Sequence, residues 1–279
     1  MNAGPVSLLP AGAGTLTAQR WKDGLLQTVD EVVSEEVPVA FVYNGITHAV
    51  MLATPHDLED FALGFTLAER IVRQARDVYD IDVSRHADGI AIELRIASGA
   101  MARLQRTRQA RTGRTGCGLC GVDTLQRFAD DCADLPRLTV PAMPIAPAAL
   151  HRAMAELAAR QHLHHATGSV HAAGWAGSDG AIRLVREDVG RHNALDKLVG
   201  ALRHSATTCA DGFAVVTSRA SYEMVQKAAQ AGIAVLAAVS APTAMAVRMA
   251  DRAGVTLAGF VRDGRHVLYT HAQRVSSTV

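Results

Sequence analysis

The chain has 279 residues, a length that allows two compact domains or one large domain. Hydrophobic residues make up 49% of the chain, charged residues 20% and aromatic residues 4%, which is the composition of a globular protein. The formal net charge is only +1, and this balance argues against a nucleic-acid-binding protein, which usually carries a large basic excess.

The N-terminal half predicts a short tail followed by a small α+β domain. Residues 1–15 are rich in Gly, Ala and Pro and are expected to form a flexible tail. Alternating apolar residues then predict strands, with hairpin turns at the Asn-Gly of residues 44–45 and the Asp-Gly of residues 88–89. Between the two hairpins a helix is expected to begin after Thr54, which suits an N-cap. We place this domain at residues 16–112.

The C-terminal half, residues 148–279, predicts a sheet with helices on both faces. Its strands are apolar throughout and alternate with helices, a pattern typical of parallel strands. Asn193 is expected to cap one of the helices. Between the halves, residues 113–147 combine the glycine-rich segment GRTGCGLCG with several prolines, and we predict an exposed loop and linker there.

Polar and basic residues follow the ends of three predicted strands of the C-terminal domain. Ligands of such sheets bind beyond the carboxyl ends of the strands, so these residues predict a pocket. They are Ser218, Arg219, Ser240, Thr243 and residues 260–262. The same hydroxyl groups could instead cap the helices that follow them. For His171 a functional role and a core position with satisfied hydrogen bonds are nearly equal interpretations, and we favour the core position.

Cys117 and Cys120 form a CxxC motif within the glycine-rich segment. A zinc site would need about two further ligands, and no second pair stands at a suitable spacing. A redox pair usually lies near a βαβ unit, whereas sulfur carriage needs an accessible thiolate. Metal binding, redox or sulfur chemistry, and a glycine loop with spare thiols therefore all remain open. Cys132 and Cys209 are interpreted as small packing residues.

The segment before the CxxC motif is basic. Residues 94–122 contain no Asp or Glu but include Arg95, Arg103 and Arg106, followed by Arg108, Arg111 and Arg114. This positive charge would favour a thiolate at the motif. The same arginines could form a docking surface for an acidic partner or a solvated helix face.

The first ten residues lack the pattern of a secretory signal, and the longest apolar runs are too short to span a bilayer. Four cysteines in a chain of this length do not form a disulfide framework. We therefore expect a cytoplasmic protein that binds neither membranes nor nucleic acid.

Five motifs of the sequence resemble the FdhD family of sulfur carriers. They are GRTGCGLCG around Cys117, REDVGRHNALDK at 186–197, SRASYEMVQKAAQAGI at 218–233, VSAPTAMAV at 239–247 and TLAGFVRDGR at 256–265. The resemblance also covers EVPVAFVYNG and MLATPHDLEDFALGF, so it runs from about Thr28 almost to the end of the chain.

This resemblance implies a sulfurtransferase. Family members accept sulfur from a cysteine desulfurase as a persulfide, here on Cys117 with Cys120 beside it. They pass it to the bis-molybdopterin guanine dinucleotide form of the molybdenum cofactor, which is bound as substrate before it is inserted into formate dehydrogenase. The resemblance also implies a homodimer and a C-terminal domain of the cytidine-deaminase-like, three-layer α/β fold. A cofactor chaperone without catalytic activity is the alternative.

The resemblance places the cofactor at the segment Phe260, Val261, Arg262, Asp263, Gly264 and Arg265. Because Arg219, Ser240 and Thr243 follow strand ends, we predict that they also contact the cofactor. Arg191 and His192 stand at the start of a helix, and there an anion site and a buried polar network are equally good interpretations. No zinc is expected, because deaminases need an H-x-E or C-x-E element that the C-terminal half lacks.

Overall fold

The computed structural model describes residues 9–109, 135–139, 144–262 and 264–276. Within them, the strands are β1 (Ala13–Lys22), β2 (Leu25–Ser34), β3 (Val37–Tyr43), β4 (Ile46–Ala53), β5 (Val78–His86), β6 (Gly89–Ile96), β7 (His171–Gly177), β8 (Ile182–Asp188), β9 (Gly212–Val216), β10 (Val235–Ala238), β11 (Thr256–Arg262) and β12 (Arg265–Thr270). The helices are α1 (Leu58–Ala68), α2 (Ser98–Gln109), α3 (Pro147–Ala159), α4 (His162–Thr167), α5 (Arg191–His204), α6 (Tyr222–Ala231) and α7 (Ala244–Ala253), with short 3-10 turns at Ala75–Asp77 and Ala272–Arg274.

The N-terminal half contains a two-stranded hairpin, β1–β2, and a four-stranded sheet with the order β4-β3-β6-β5. Both predicted hairpin turns are present, and Asn44 and Gly45 have φ values of 46° and 82°, as a tight turn between β3 and β4 requires. Phe61 and Phe65 of α1 pack on Phe41 of β3 in the core of this sheet. The α+β prediction for this half is confirmed, although β1 begins at Ala13, within the predicted tail.

The C-terminal sheet has six strands in the order β12-β11-β10-β9-β7-β8. Strands β9, β10 and β11 are parallel, whereas β12, β7 and β8 pair antiparallel with their neighbours. The prediction of parallel strands is therefore right for β9, β10 and β11 and wrong for β8, whereas β11 and β12 form a hairpin at the predicted turn of residues 263–264. The antiparallel strands belong to hairpins, whose short connections cannot carry a parallel crossover.

Helices cover both faces of this sheet, which gives the predicted three layers. Strand β9 shows the alternation: Phe213 and Val215 belong to the core beneath α3, while Ala214 and Val216 belong to the core beneath α5, α6 and α7. All five residues of β9 are buried, as expected for a strand covered on both faces. None of the described helices has the length and apolarity needed to cross a membrane.

The two halves are joined by a close crossing of α1 and α5. A Cβ atom at Gly64 would overlap the backbone carbonyl of Asp196, and one at Gly200 would overlap the carbonyl of Asp60. Glycine at these two positions lets the helix backbones touch. The predicted domain boundaries stay predictions, since the linker falls largely on residues outside the described ranges.

Two predicted helix caps are wrong. Helix α1 begins at Leu58 with Asp57 as its N-cap, and Thr54 lies buried before it. Helix α5 begins at Arg191 after Gly190, so Asn193 lies inside the helix. Both polar side chains bind partners from the other half of the molecule instead, and these buried hydrogen bonds outweigh the local capping preference.

Candidate functional site

One edge of the six-stranded sheet collects most of the residues predicted to bind a ligand. Strands β8, β9, β10 and β11 end at this edge, and β7 begins there because it runs antiparallel to β8 and β9. His171 therefore lies beside Thr217, whose hydroxyl accepts a hydrogen bond from the backbone N–H of Ala172 at 2.9 Å. The topology confirms that the strand ends meet, as the sequence predicted.

Strand β11 ends at Arg262 and β12 begins at Arg265, and we call the turn between these two residues the arginine hairpin. These two residues are cross-strand partners and both are exposed. With Phe260 and His266 they line a cleft of about 300 Å³. Among the described residues, no carboxylate forms an ion pair with either arginine.

Phe260 links this hairpin to the neighbouring strand. Its φ of 54° marks a bulge in β11, and its backbone N–H donates to the carbonyl of Ser240 at 3.3 Å. Val261 is fully buried in the core beneath α3, so only its backbone can reach a ligand. Gly264 is exposed with φ 72°, and Asp263 lies outside the described residues.

His266 of the arginine hairpin contacts His151 of α3. Nδ1 of His266 and Nε2 of His151 are 2.9 Å apart. Burial and the neighbouring His151 lower the pKa of His266. The two imidazoles lie within hydrogen-bonding distance, and the pair ties the hairpin to α3.

Arg219 and Thr243 also lie at this edge, and both are exposed. The hydroxyl of Thr243 accepts a hydrogen bond from the backbone N–H of Ala246 at 3.2 Å and so caps α7. Ser218 is buried and donates to the carbonyl of Arg219 at 3.0 Å. Thr243 therefore has a capping role in this structure, whereas the Arg219 guanidinium forms no ion pair within the described residues.

Arg191 and His192 begin α5 at the same edge. Nε2 of His192 lies 2.8 Å from Oε2 of Glu223 on α6 and 3.4 Å from the hydroxyl of Ser221. Nε of Arg191 is buried and has no hydrogen-bond partner among the described residues. An orphaned guanidinium nitrogen at a helix N-terminus suits an anion, whereas His192 is held by Glu223.

A second cleft, of about 480 Å³, opens between α3 and the strand ends. We call it the histidine cleft, because His164 and His171 line it together with Thr217 and Val239. Burial and the nearby charge of Arg191 lower the pKa of His171. His171 is half-buried and lines this cleft, so the prediction of a core histidine is wrong.

The REDVGRHNALDK motif also builds a buried network between the halves. Nζ of Lys197 lies 2.7 Å from Oδ2 of Asp188, with neither side chain exposed. The Thr54 hydroxyl accepts from Lys197 and donates to Asp188, both at 2.8 Å. Asn193 donates to Oδ1 of Asp188 and to the carbonyl of Leu52, both at 2.9 Å. Asp188, Asn193 and Lys197 therefore form a buried polar network that reaches residues of the N-terminal half.

Two further acidic residues hold neighbouring elements in place, and no motif of the sequence indicates these roles. Both carboxylate oxygens of Glu187 accept from the first backbone N–H groups of α4, at Leu163 and His164, each at 2.9 Å. Asp60 of α1 accepts from Nε of Arg186 at 2.7 Å and lies 2.6 Å from Nδ1 of His204. Sequence analysis missed both roles, because the partners are distant in the chain.

Cys117 and Cys120, the predicted sulfur-handling pair, lie outside the described residues, as does Cys132. Cys209 is described, and its thiol donates to the carbonyl of Ala231 at 3.4 Å. Burial raises the pKa of the Cys209 thiol, which disfavours the reactive thiolate. Cys209 also packs against the core beneath α5, α6 and α7, in agreement with its predicted packing role.

Comparison with known proteins decides the family. The model of the FdhD/NarQ family matches residues 34–276. The chain belongs to the FdhD/NarQ family. A sulfur carrier protein FdhD from Cupriavidus necator is 53% identical over 95% of this chain and 94% of its own length. A protein of the same name from Xanthomonas campestris pv. campestris is 48% identical over 99% of this chain and 96% of its own length.

The fold of this FdhD/NarQ protein also resembles a solved structure. A crystal structure of a protein from Desulfotalea psychrophila, described as a formate dehydrogenase accessory protein, matches with a TM-score of 0.74. The match covers 95% of this chain and 99% of the chain from Desulfotalea psychrophila, and the two sequences are 22% identical. At this identity the likeness supports the mixed α/β fold.

Proposed function

We propose that this FdhD/NarQ protein is a sulfurtransferase of molybdenum cofactor maturation. It accepts sulfur from a cysteine desulfurase as a persulfide on Cys117, in the cytoplasm. It passes the sulfur to a bis-molybdopterin guanine dinucleotide cofactor, bound as substrate, that is destined for formate dehydrogenase. The working form is a homodimer.

The names of the relatives support sulfur carriage. Two proteins that match nearly the whole chain at about half identity are called sulfur carrier protein FdhD. The structural relative is described as a formate dehydrogenase accessory protein, which supports formate dehydrogenase as the recipient. The CxxC motif at Cys117 and Cys120 supplies the thiols that this chemistry needs.

The loading step is a thiol exchange. The Cys117 thiolate attacks the terminal sulfur of the donor's persulfide, and the donor cysteine leaves as a thiolate. The new S–S bond on Cys117 replaces the one broken in the donor, so no electrons are gained or lost overall. The basic segment before the motif favours the thiolate form of Cys117.

Release as sulfide needs two electrons, and Cys120 can supply them. Its thiolate attacks the Sγ atom of Cys117, a Cys117–Cys120 disulfide forms, and the outer sulfur leaves as hydrosulfide to become a ligand of the substrate's metal. A cellular thiol reductant then reopens the disulfide. In this scheme Cys120 is required for release but not for loading.

The single structural observation that supports a nucleotide-bearing substrate is the cluster of exposed cations at the sheet edge. Arg262 and Arg265 are exposed, cross-strand partners, and Arg219 lies on the same edge. Arginine's forked donors suit the oxygens of a pyrophosphate. The amides at the start of α5, beside Arg191, add a further anion-binding element.

A test in cells separates sulfur transfer from the alternative, a cofactor chaperone without catalytic activity. Cells that lack their own copy of this protein are supplied with the wild type or with Cys117→Ser, and formate dehydrogenase activity is measured. Sulfur transfer predicts that Cys117→Ser fails, while Cys209→Ser restores activity. A chaperone predicts that both variants restore it.

A further inference from the structure

Strands β1 and β2 form a two-stranded ribbon that projects from the molecule. Among the described strands they pair only with each other, and the turn at Asp23 and Gly24, with φ values of 53° and 82°, joins them. The base of the ribbon lies beside α4, where the hydroxyls of Ser34 and Ser169 are 2.8 Å apart. Residues 19–28 are all exposed. Since ten residues of a strand span about 33 Å, the tip of the ribbon lies well away from its base.

The tip of the ribbon is apolar. Trp21 and Leu26 are cross-strand partners, so their side chains lie on the same face, and they are 71% and 62% exposed. Behind them, the side chains of Gln19 and Thr28 form a hydrogen bond of 3.0 Å across the strands. A two-stranded ribbon is at best marginally stable alone in water, and an exposed apolar patch marks an interaction surface. The tip therefore indicates a contact with another surface.

The four-stranded sheet of the N-terminal half has an open apolar face. Helix α1 packs on the face that carries Phe41. On the opposite face, which no described helix covers, Pro38 is the cross-strand partner of Leu52 and Ala40 that of Val50. Val50 is 61% and Leu52 55% exposed. Since the solvated face of such a sheet is normally polar, this apolar face is a second surface that lacks a covering layer.

Two carboxylates border the open face. Asp82 of β5 and Glu93 of β6 are cross-strand partners, and both are exposed. Glu93 is also the register partner of Val42 on β3, so the carboxylates adjoin the apolar patch. Carboxylates only accept hydrogen bonds and an indole N–H only donates. An indole that lies on the patch would therefore find an acceptor at this border.

We propose that two copies of this chain exchange their ribbons, so that the tip of each ribbon lies on the open sheet face of the other copy. Under two-fold symmetry this contact forms twice. A stable dimer buries about 800 Å² per partner, so the ribbon and the sheet face each have to bury about 400 Å². A tryptophan alone buries about 150–250 Å², and Leu26 with the polar pair behind it adds to this area. The inference rests on the homodimer of the proposed function and names the surfaces that form it.

Sedimentation velocity of the full-length protein tests the exchange with one variant on each surface. Trp21→Ser removes the large side chain at the tip, and Val50→Arg places a charge on the open face. Both positions are exposed, so neither change disturbs the core. Tyr79→Ser is the matched control, because Tyr79 is 60% exposed but lines a cleft with Leu63 of α1, away from the open face.

We expect the wild type and Tyr79→Ser to dimerise alike, and Trp21→Ser and Val50→Arg each to dimerise at least about thirtyfold more weakly. An equal mixture of these two variants should dimerise more tightly than either variant alone. In a mixed pair, the intact ribbon of one copy meets the intact sheet face of the other. A monomeric wild type, a Trp21→Ser or Val50→Arg variant that dimerises like the wild type, or a mixture no tighter than its components would overturn the exchange.

Persulfide formation on Cys117, measured in the same preparations, keeps the two proposals apart. A monomeric wild type that forms the persulfide overturns the exchange and leaves sulfur carriage standing. A wild type that dimerises through Trp21 and Val50 but never forms the persulfide supports the exchange and contradicts the proposed sulfur transfer.

Discussion

Lys197 and Asp188 form an ion pair of 2.7 Å in which neither side chain is exposed to solvent. The partner that completes this pair, Thr54, comes from the other half of the molecule and bonds both charged groups. Each of them therefore keeps a full set of hydrogen bonds only when the two halves are docked. The stability of this ion pair, and of the start of α5 that carries Lys197, therefore depends on contact with the N-terminal half.

Replacing Lys197 by methionine should strongly destabilise the fold. The variant leaves the Asp188 carboxylate buried without its cation, and the loss of one member of such a pair costs about 3–5 kcal/mol. Urea unfolding monitored by circular dichroism measures the change. Lys22→Met, at an exposed position on the β1–β2 hairpin, is the matched control and should leave the unfolding midpoint unchanged. Equal midpoints for the two variants would contradict this role.

Gly64→Ala should destabilise the crossing of α1 and α5. The added methyl group would overlap the carbonyl of Asp196, and overpacking of this kind costs about 1–3 kcal/mol or more. Gly99→Ala in α2 is the matched control, since its Cβ would meet only the end of the Arg103 side chain at 4.0 Å. Thermal unfolding should show a lower midpoint for Gly64→Ala alone. A midpoint at or above the wild-type value would argue against backbone contact.

The sequence was sufficient to predict features that depend on local chemistry. The turns at residues 44–45 and 88–89, the central parallel strands and the meeting of strand ends all follow from turn residues and apolar periodicity. Strand β7, HAAGWAG, carries no such signal because small residues without alternation fill it.

Long-range partners explain the incorrect predictions. Thr54 has the residue type of a helix cap, yet its hydroxyl binds Asp188, which is 134 residues away. The sequence favours a core position for His171, but pairing of β7 with β8 and β9 places this residue at the sheet edge that forms the histidine cleft. Such roles become visible only when the strands are assembled.

The pH dependence of stability should report the environment of His171. Burial and Arg191 lower the pKa of His171 below its usual value of 6.5. Below pH 6.5 His171 is therefore more fully protonated in the unfolded chain than in the folded chain. The free energy of unfolding consequently falls as the pH falls. His171→Gln should show a smaller loss of unfolding free energy between pH 7.5 and pH 5.5.

Because His56 and His266 also have lowered pKa values, they add slopes of the same sign. The comparison is therefore between the wild type and His171→Gln, each measured by urea unfolding at both pH values. An identical pH dependence in the two proteins would show that His171 titrates as it does in the unfolded chain.

The double variant Arg262→Ala, Arg265→Ala should bind inorganic pyrophosphate and GDP about tenfold to a hundredfold more weakly than the wild type. Both guanidinium groups are exposed and would form charge-assisted hydrogen bonds to phosphate. The wild-type affinity should also fall with added salt more steeply than that of the variant. Arg73→Ala, exposed in the N-terminal half, controls for loss of positive charge. Equal weakening by both changes would indicate a nonspecific charge effect.

Sulfur carriage on Cys117 is the central claim, and intact mass spectrometry tests it most directly. The protein is incubated with an active cysteine desulfurase and cysteine, as wild type and as the Cys117→Ala, Cys120→Ala and Cys209→Ala variants. We predict a reductant-sensitive gain of one sulfur atom in the wild type, Cys120→Ala and Cys209→Ala, and none in Cys117→Ala. A wild type that gains no sulfur, or a Cys117→Ala variant that gains it, would contradict the account.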